Sequence, residues 1–274
     1  MRQAFSLIRL IVLGSLAVLF LLPFIYMVGF SLKTASEIFS GGLSPLPQTL
    51  EGLSNYANVL LDRPLLRYLL NGAIVCAAIL VFQLIFALPA AYALAKLRFA
   101  GRELVLGLVL FGMLVPIQVT ALPLYAGFAK LQLLDTYAVL VLPFVSSAFA
   151  VFLFRQFFLS IPNELLDAAR LDGLSELSIV VRVLLPLTLP AATAFSIFSV
   201  VSHWNDLFWP LVVIQSPSLN TPPLGILYFR SAEAGDRYGE LMAATTLVTL
   251  PLVLAFLFAQ RRFIEGVSLG ALKG

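Results

Sequence analysis

Six separate runs of apolar residues, each close to the roughly 20 that an α-helix needs to cross a bilayer, follow one another along this chain. They cover about 8–32, 69–94, 104–124, 137–158, 187–214 and 241–259. Only 11% of the 274 residues are charged and 61% are hydrophobic, whereas a soluble domain carries roughly 25% charged residues. The expected fold class is an all-α membrane protein with six transmembrane helices. Pro23, Pro89 and Pro116 fall inside the runs; they would break a soluble helix but are tolerated in a membrane, where neighbours re-satisfy the freed carbonyls. The first run is too long for the roughly 7–15-residue apolar region of a signal peptide, and no small-residue cleavage site follows, so it reads as a retained helix.

The net charge is +3. Basic residues sit at the ends of the apolar runs rather than along a stripe, which points to membrane orientation and away from nucleic acid. With the N-terminus inside, Arg2, Arg9, Lys96, Arg98, Arg102, Arg155, Arg170, Arg182, Arg261, Arg262 and Lys273 are cytoplasmic. Lys33, Arg63, Arg67, Lys130, Arg230 and Arg237 are then external. This excess inside predicts that both termini are cytoplasmic. Two external segments, about 33–67 and 215–239, are rich in turn residues and either pack back on the protein or meet an external partner. Cys76 has no partner for a disulfide and reads as a small buried hydrophobe. His203 has no neighbouring Cys or His, so no metal site is expected. The chain divides into a first helix with its external segment (1–66), a membrane domain (67–262) and a cytoplasmic tail (263–274).

Between the fourth and fifth runs lies a polar stretch, Ser160-Ile-Pro-Asn-Glu-Leu-Leu-Asp-Ala-Ala-Arg-Leu-Asp-Gly173. Ser160 and Pro162 start a helix, Glu164 and Asp167 suit its positive end, Arg170 suits its negative end, and Gly173 stops it. Leu165, Ala168, Ala169 and Asp172 share one face at i, i+3, i+4, i+7 spacing. Small residues there leave a backbone that a partner can approach. Docking into a partner's groove and simple capping of the bundle are both open readings of this spacing.

Asp167-Ala168-Ala169, then Gly173 after three residues, then Val183-Leu184-Leu185-Pro186 after nine more, resembles the EAA motif of permease subunits of binding-protein-dependent ABC importers. Asp167 stands where the motif usually has Glu, and Val183 where it has Ile. Further stretches resemble the carbohydrate-uptake branch, the maltose-type permeases. They are Leu22-Pro-Phe-Ile-Tyr-Met, Ser31-Leu-Lys-Thr34, Asn55-Tyr56, Tyr68-Leu-Leu-Asn71, Ala90-Ala-Tyr-Ala-Leu-Ala95, Trp204-Asn205-Asp206 with Trp209-Pro210, and Gly270-Ala-Leu-Lys-Gly274.

The resemblance implies the ABC importer type-1 permease fold, with a cytoplasmic coupling helix at about 163–174. Glu164, Asp167, Ala168, Ala169, Asp172, Gly173 and Pro186 would couple it to an ATPase. It implies two ATP-binding subunits, a second permease that is a different chain, and an external solute-binding protein. The location implied is the cytoplasmic (inner) membrane of a prokaryote. No G-x-x-x-x-G-K-[ST] loop is present, so the chain is not expected to be an enzyme. No cofactor is expected on it, and ATP and Mg would be bound by the partner subunits. Asn71, Gln118, Asn205 and Asp206 are candidates for the translocation path. For Asn205 and Asp206 an alternative is open: they cap a span at the interface, with Trp204 and Trp209 as belt residues. Gln83 and Thr120 are polar positions of the same kind, and such residues also join helices to one another. A self-sufficient secondary transporter is the alternative function; it predicts internal repeats and an intramembrane ion site, and neither is evident.

Overall fold

The computed structural model describes the backbone of residues 2–40, 42, 44–61, 64–230 and 237–271, and the side chains among residues 6–260 of these except 228 and 230. The basic residues Arg2, Arg63, Arg230, Arg261, Arg262 and Lys273, and the tail side chains of 263–274, lie outside the described side chains. In chain order the α-helices are α1 (Arg2–Ser31), α2 (Ala35–Ser40), α3 (Ser54–Leu61), α4 (Leu65–Lys96), α5 (Arg102–Gly112), α6 (Ile117–Lys130), α7 (Tyr137–Val141) and α8 (Ala148–Leu159). They continue with α9 (Asn163–Leu171), α10 (Glu176–Ile179), α11 (Leu185–Leu187), α12 (Leu189–Trp204), α13 (Phe208–Val213), α14 (Pro222–Ile226) and α15 (Tyr238–Ala271). Among the described residues there is no strand.

Among the described residues, three helical stretches, Ser6–Ser31, Leu65–Lys96 and Tyr238–Gln260, are long and apolar enough to cross a membrane. Three further pairs reach that length only when taken across a bend: α5 with α6 at 98°, Tyr137–Phe144 with α8 at 41°, and Glu176–Leu187 with α12 at 85°. The third run expected from sequence is therefore two helices, broken at Pro116, which begins α6 without an amide to donate. The fifth starts earlier than expected. Ser175 caps it by accepting from the Ser178 amide at 3.3 Å, so the polar residues Glu176 and Arg182 are already helical. It also ends earlier, at Trp204.

Pro186 and Pro190 explain the 85° bend. Neither can donate to the carbonyl four residues before it. The chain answers by widening: Val180–Leu184 is wound as a π-helix, with the Leu185 amide on the Val180 carbonyl. The buried Thr188 sits at the corner, where its hydroxyl bonds the Leu184 carbonyl at 2.9 Å.

The chain forms two compact units. The first comprises residues 1–69 and 222–251. Here the first turn-rich segment packs back on its own unit. Thr34 and Glu37 form a capping box at the start of α2, Glu37 accepting from the Thr34 amide at 3.0 Å and Thr34 Oγ1 from the Glu37 amide at 3.3 Å. The other Glu37 oxygen accepts from the amides of Gln48 and Thr49. These bonds, the one from Thr34 foremost, hold its carboxyl below the usual range. Lys33 is buried, its ammonium donating to the Ser44 carbonyl and lying 4.9 Å from the Phe30 ring centre. Tyr68 packs with Val59, Leu65, Phe229, Ala243, Ala244 and Val248. A β-carbon on Gly225 would fall 2.2 Å from the Tyr68 ring, so that close approach requires glycine.

The second unit comprises residues 70–221 and 252–274. Its core joins the C-terminal half of α4 to α8, α9 and α12 through Ala91, Leu94, Phe154, Phe158, Leu166 and Phe195. Trp209 is fully buried and donates from Nε1 to the Val139 carbonyl at 2.8 Å. Asp135 accepts from the amides of Gln215 and Ser216 at 3.0 and 2.9 Å, and from the Ser216 hydroxyl. That hydroxyl, then the amides, hold the Asp135 carboxyl below its ordinary value.

A depressed folded value stabilises the fold above the ordinary carboxylate pKa of about 3.9, and the gain is lost as pH falls through the folded value. Asp135→Asn should therefore lower the melting temperature of the detergent-solubilised chain at about pH 6. The gap between the two proteins should close below about pH 4.

Candidate functional site

The polar stretch after α8 folds as expected from its residues. Pro162 precedes α9 and Gly173 follows it with φ +80°. The turn is a Schellman motif: the Gly173 amide bonds the Arg170 carbonyl at 3.0 Å, and the Leu174 amide bonds the Ala169 carbonyl at 3.1 Å. Leu174 packs against the core cluster and fixes the direction in which the chain leaves.

α9 has two faces. Leu166 and Ala169 are buried at 1% and 8% exposure. Glu164, Leu165, Asp167, Ala168, Leu171 and Asp172 are exposed, Leu171 at 90%. The expected apolar face is thus split, because the two adjacent alanines point to different sides. Ala169 lets α9 lie close to the core, and Ala168 leaves the outward face low.

A network of charged and polar side chains holds this helix. Arg170 bonds Asp167 at 2.8 Å across one turn. Its guanidinium also meets Glu176 with two nitrogens, Nε at 2.9 Å and Nη2 at 3.3 Å. Arg170 Nη2 donates to the Tyr92 hydroxyl at 3.0 Å, and that hydroxyl donates to Glu176. Glu176, then Tyr92 and Asp167, raise the already high pKa of Arg170. Before the helix, Lys96 Nζ donates to the Ile161 carbonyl at 2.6 Å and to Asn163 Oδ1 at 2.9 Å. Arg155 Nε donates to the Leu94 carbonyl at 3.2 Å. Of these partners the sequence singles out only Asp167 as a site residue. Ser175 before Glu176, a cap in front of an acidic first turn, is the available signal for a new helix start.

The structure brings Glu164, Asp167, Ala168, Ala169, Asp172 and Gly173 together on one short helix and its turn. Pro186 lies on the helical stretch that follows, at the bend.

The candidate path residues are dispersed. Asn71 is 1% exposed and occupied: its amide donates to the carbonyls of Ser218 at 3.0 Å and Asn220 at 2.9 Å, and its oxygen accepts from Tyr137 at 2.6 Å. Gln83 likewise donates to the Phe144 carbonyl at 3.0 Å and accepts from Ser199 at 2.7 Å. Asn205 bonds the Val201 carbonyl at 2.8 Å and closes α12. Asp206 accepts from the Trp209 amide at 3.3 Å at the start of α13. This is capping geometry, but without an aromatic belt, since Trp204 and Trp209 are buried. Gln118 is exposed on α6.

Residues 83–268 match the family described as the binding-protein-dependent transport system inner membrane component. Among curated proteins, the chain is 35% identical over 261 residues to the arabinooligosaccharides transport system permease protein AraQ of Bacillus subtilis (strain 168), covering 94% of this chain and 92% of that one. It is 33% identical over 276 residues to the sn-glycerol-3-phosphate transport system permease protein UgpE of Pectobacterium atrosepticum, covering 96% and 95%. Its fold superimposes with a TM-score of 0.82, at 26% identity, on a chain of a bacterial ABC transporter involved in the import of the acidic polysaccharide alginate. That match covers 95% of this chain and 97% of the other. A second chain, from an alginate transporter in complex with an alginate pentasaccharide-bound periplasmic protein, shares the fold at a TM-score of 0.61.

The bonds of Asn71 make a stability prediction. Asn71→Ala orphans two backbone carbonyls and a phenol, which should cost about 2–3 kcal/mol. It should lower the melting temperature in detergent, and molecules that stay folded should keep their solute preference.

Proposed function

This chain belongs to the binding-protein-dependent transport system inner membrane component family, and we propose that it works as the permease subunit of an ATP-driven importer for a sugar or a related polyol or sugar-phosphate. The relatives named for arabinooligosaccharides and sn-glycerol-3-phosphate support an oxygen-rich, strongly hydrated solute. Such a solute crosses a bilayer only through a protein path, because stripping water from its hydroxyls without replacement is costly. Family membership weighs against a self-sufficient secondary transporter, which would need no external binding protein.

The observation that carries the reading is α9. It is a nine-residue helix with a low, exposed face of Glu164, Leu165, Ala168, Leu171 and Asp172. It is bound to the bundle by Leu166 and Ala169 beneath and by Arg170 at its end. An exposed face of mixed apolar and acidic side chains, low at Ala168, on a rigidly held helix suits a partner's groove. On this reading α9 lies in the cytoplasm with both termini, as the basic residues favour, and fits a cleft on one of two ATP-binding subunits. The sequence has no phosphate-cradling G-x-x-x-x-G-K-[ST] loop; ATP and Mg then belong to those partners, and closure of the pair pushes α9. A second, different permease completes the path, and an external binding protein supplies the solute.

Ala168→Trp tests this, because Ala168 is exposed and the chain should fold with the larger side chain. The complex purified through this chain should lose ATPase subunits, or hydrolyse ATP with solute import lowered about tenfold or more. Normal import by the Ala168→Trp complex would remove the assignment of α9 as the coupling helix.

A further inference from the structure

Four polar side chains along α4 are each bonded to a different part of the second unit. Asn71 holds Ser218 and Asn220, and Gln83 holds Phe144 and Ser199. Tyr92 meets Arg170 and Glu176, and Lys96 meets Ile161 and Asn163. The last two are one turn apart, so they share a face of α4. Their partners are the two ends of α9: Ile161 and Asn163 where the chain enters it, Arg170 where it leaves.

Between those grips, Leu166 and Ala169 of α9 lie in the same buried cluster as Ala91, Leu94 and Ala95 of α4. A helix fixed at both ends and along its inner side cannot pivot on its neighbour without breaking charge-assisted bonds. One turn before Tyr92, Pro89 removes the amide that the Ile85 carbonyl would need. The gripped end of α4 is therefore joined to the rest of the helix through a turn that lacks one backbone hydrogen bond.

We propose that Tyr92 and Lys96 are positioning residues that clamp both ends of α9 onto α4 and so make α4 the first element to receive the motion of α9. The inference rests on the reading of α9 as the coupling helix. It adds a route: motion enters at Tyr92 and Lys96, passes Gln83, and reaches the segment held by Asn71. The segment 215–221 is tied down on its other side by Asp135, so a shift of α4 strains it rather than carrying it along.

The test uses the whole complex, purified through this chain and reconstituted in proteoliposomes. The solute is the member of a panel of arabinotriose, maltotriose and sn-glycerol-3-phosphate that the unaltered complex imports best. Tyr92→Phe, Lys96→Met and the double variant are compared for assembled complex, ATP hydrolysis and solute moved per ATP. Each single variant should lower solute per ATP about threefold and the pair about tenfold or more, with hydrolysis continuing. Lys96→Arg should restore most of the ratio in place of Lys96→Met, since it keeps a cation that donates. A double variant that assembles and imports with the unaltered ratio overturns the clamp, as does a loss confined to the amount of complex. Ala168→Trp runs in parallel. If it uncouples while the clamp variants do not, the coupling helix stands and only the route through α4 falls; if neither uncouples, both fall.

Discussion

A peptide group inside a bilayer meets no water, so each amide and carbonyl must find its partner within the protein. This constraint shapes the second unit more than any single contact. Prolines cannot be absorbed by solvation, and at three of them the chain uses a local device. At Pro116 it ends one helix and begins another at 98°. At Pro186 and Pro190 it widens to a π-helical stretch, turns 85°, and uses the Thr188 hydroxyl on the Leu184 carbonyl. The same demand recruits side chains: Asn71, Gln83 and Trp209 each donate to a main-chain carbonyl outside their own helix. What look like polar intrusions in an apolar chain are largely the groups that close its backbone.

This explains what the sequence disclosed and what it withheld. The apolar runs were legible because lipid solvation demands length and apolarity together, and the apolar stretches Ser6–Ser31, Leu65–Lys96 and Tyr238–Gln260 follow them within a few residues, although α15 itself continues to Ala271. The end of α9 was legible because a left-handed residue is needed there and Gly173 supplies it at φ +80°. Bends were not, since a proline in a membrane helix is compatible with a straight run or a break, and only the neighbours decide. Asn71 illustrates the harder limit. A buried amide can serve a solute or a carbonyl, and its composition is the same in both cases; three bonds at 2.6 to 3.0 Å assign it to the structure. Trp204 and Trp209 suggested an interface for the same reason, yet both are buried.

The network around Arg170 could not be read from spacing either, because two of its members lie on other elements. Its chemistry is nonetheless specific. A guanidinium presents several donors in a plane, which lets it meet Glu176 with two nitrogens while a third reaches Asp167. A lysine ammonium could not span these positions in one geometry. The departure from the EAA pattern at position 167 also finds a place here. Aspartate, one methylene shorter than glutamate, bonds Arg170 at 2.8 Å one turn away. Much of this cluster is exposed, so the ion pairs add little stability; their contribution is direction, since they fix the angle at which the chain leaves α9.

The adjacent alanines then carry distinct burdens. At position 169 a larger side chain would lift α9 off Leu94 and Ala95 and lengthen the bonds at both ends. At position 168 a larger side chain touches nothing within the second unit's core and stands in the way only of something outside it. A surface helix with no partner has no physical need to keep its outward side low, nor to leave Leu171 at 90% exposure beside it. With Ala169 beside Leu166 on the covered side and Ala168 beside Leu165 and Leu171 on the open one, α9 has the form that docking against a partner would require.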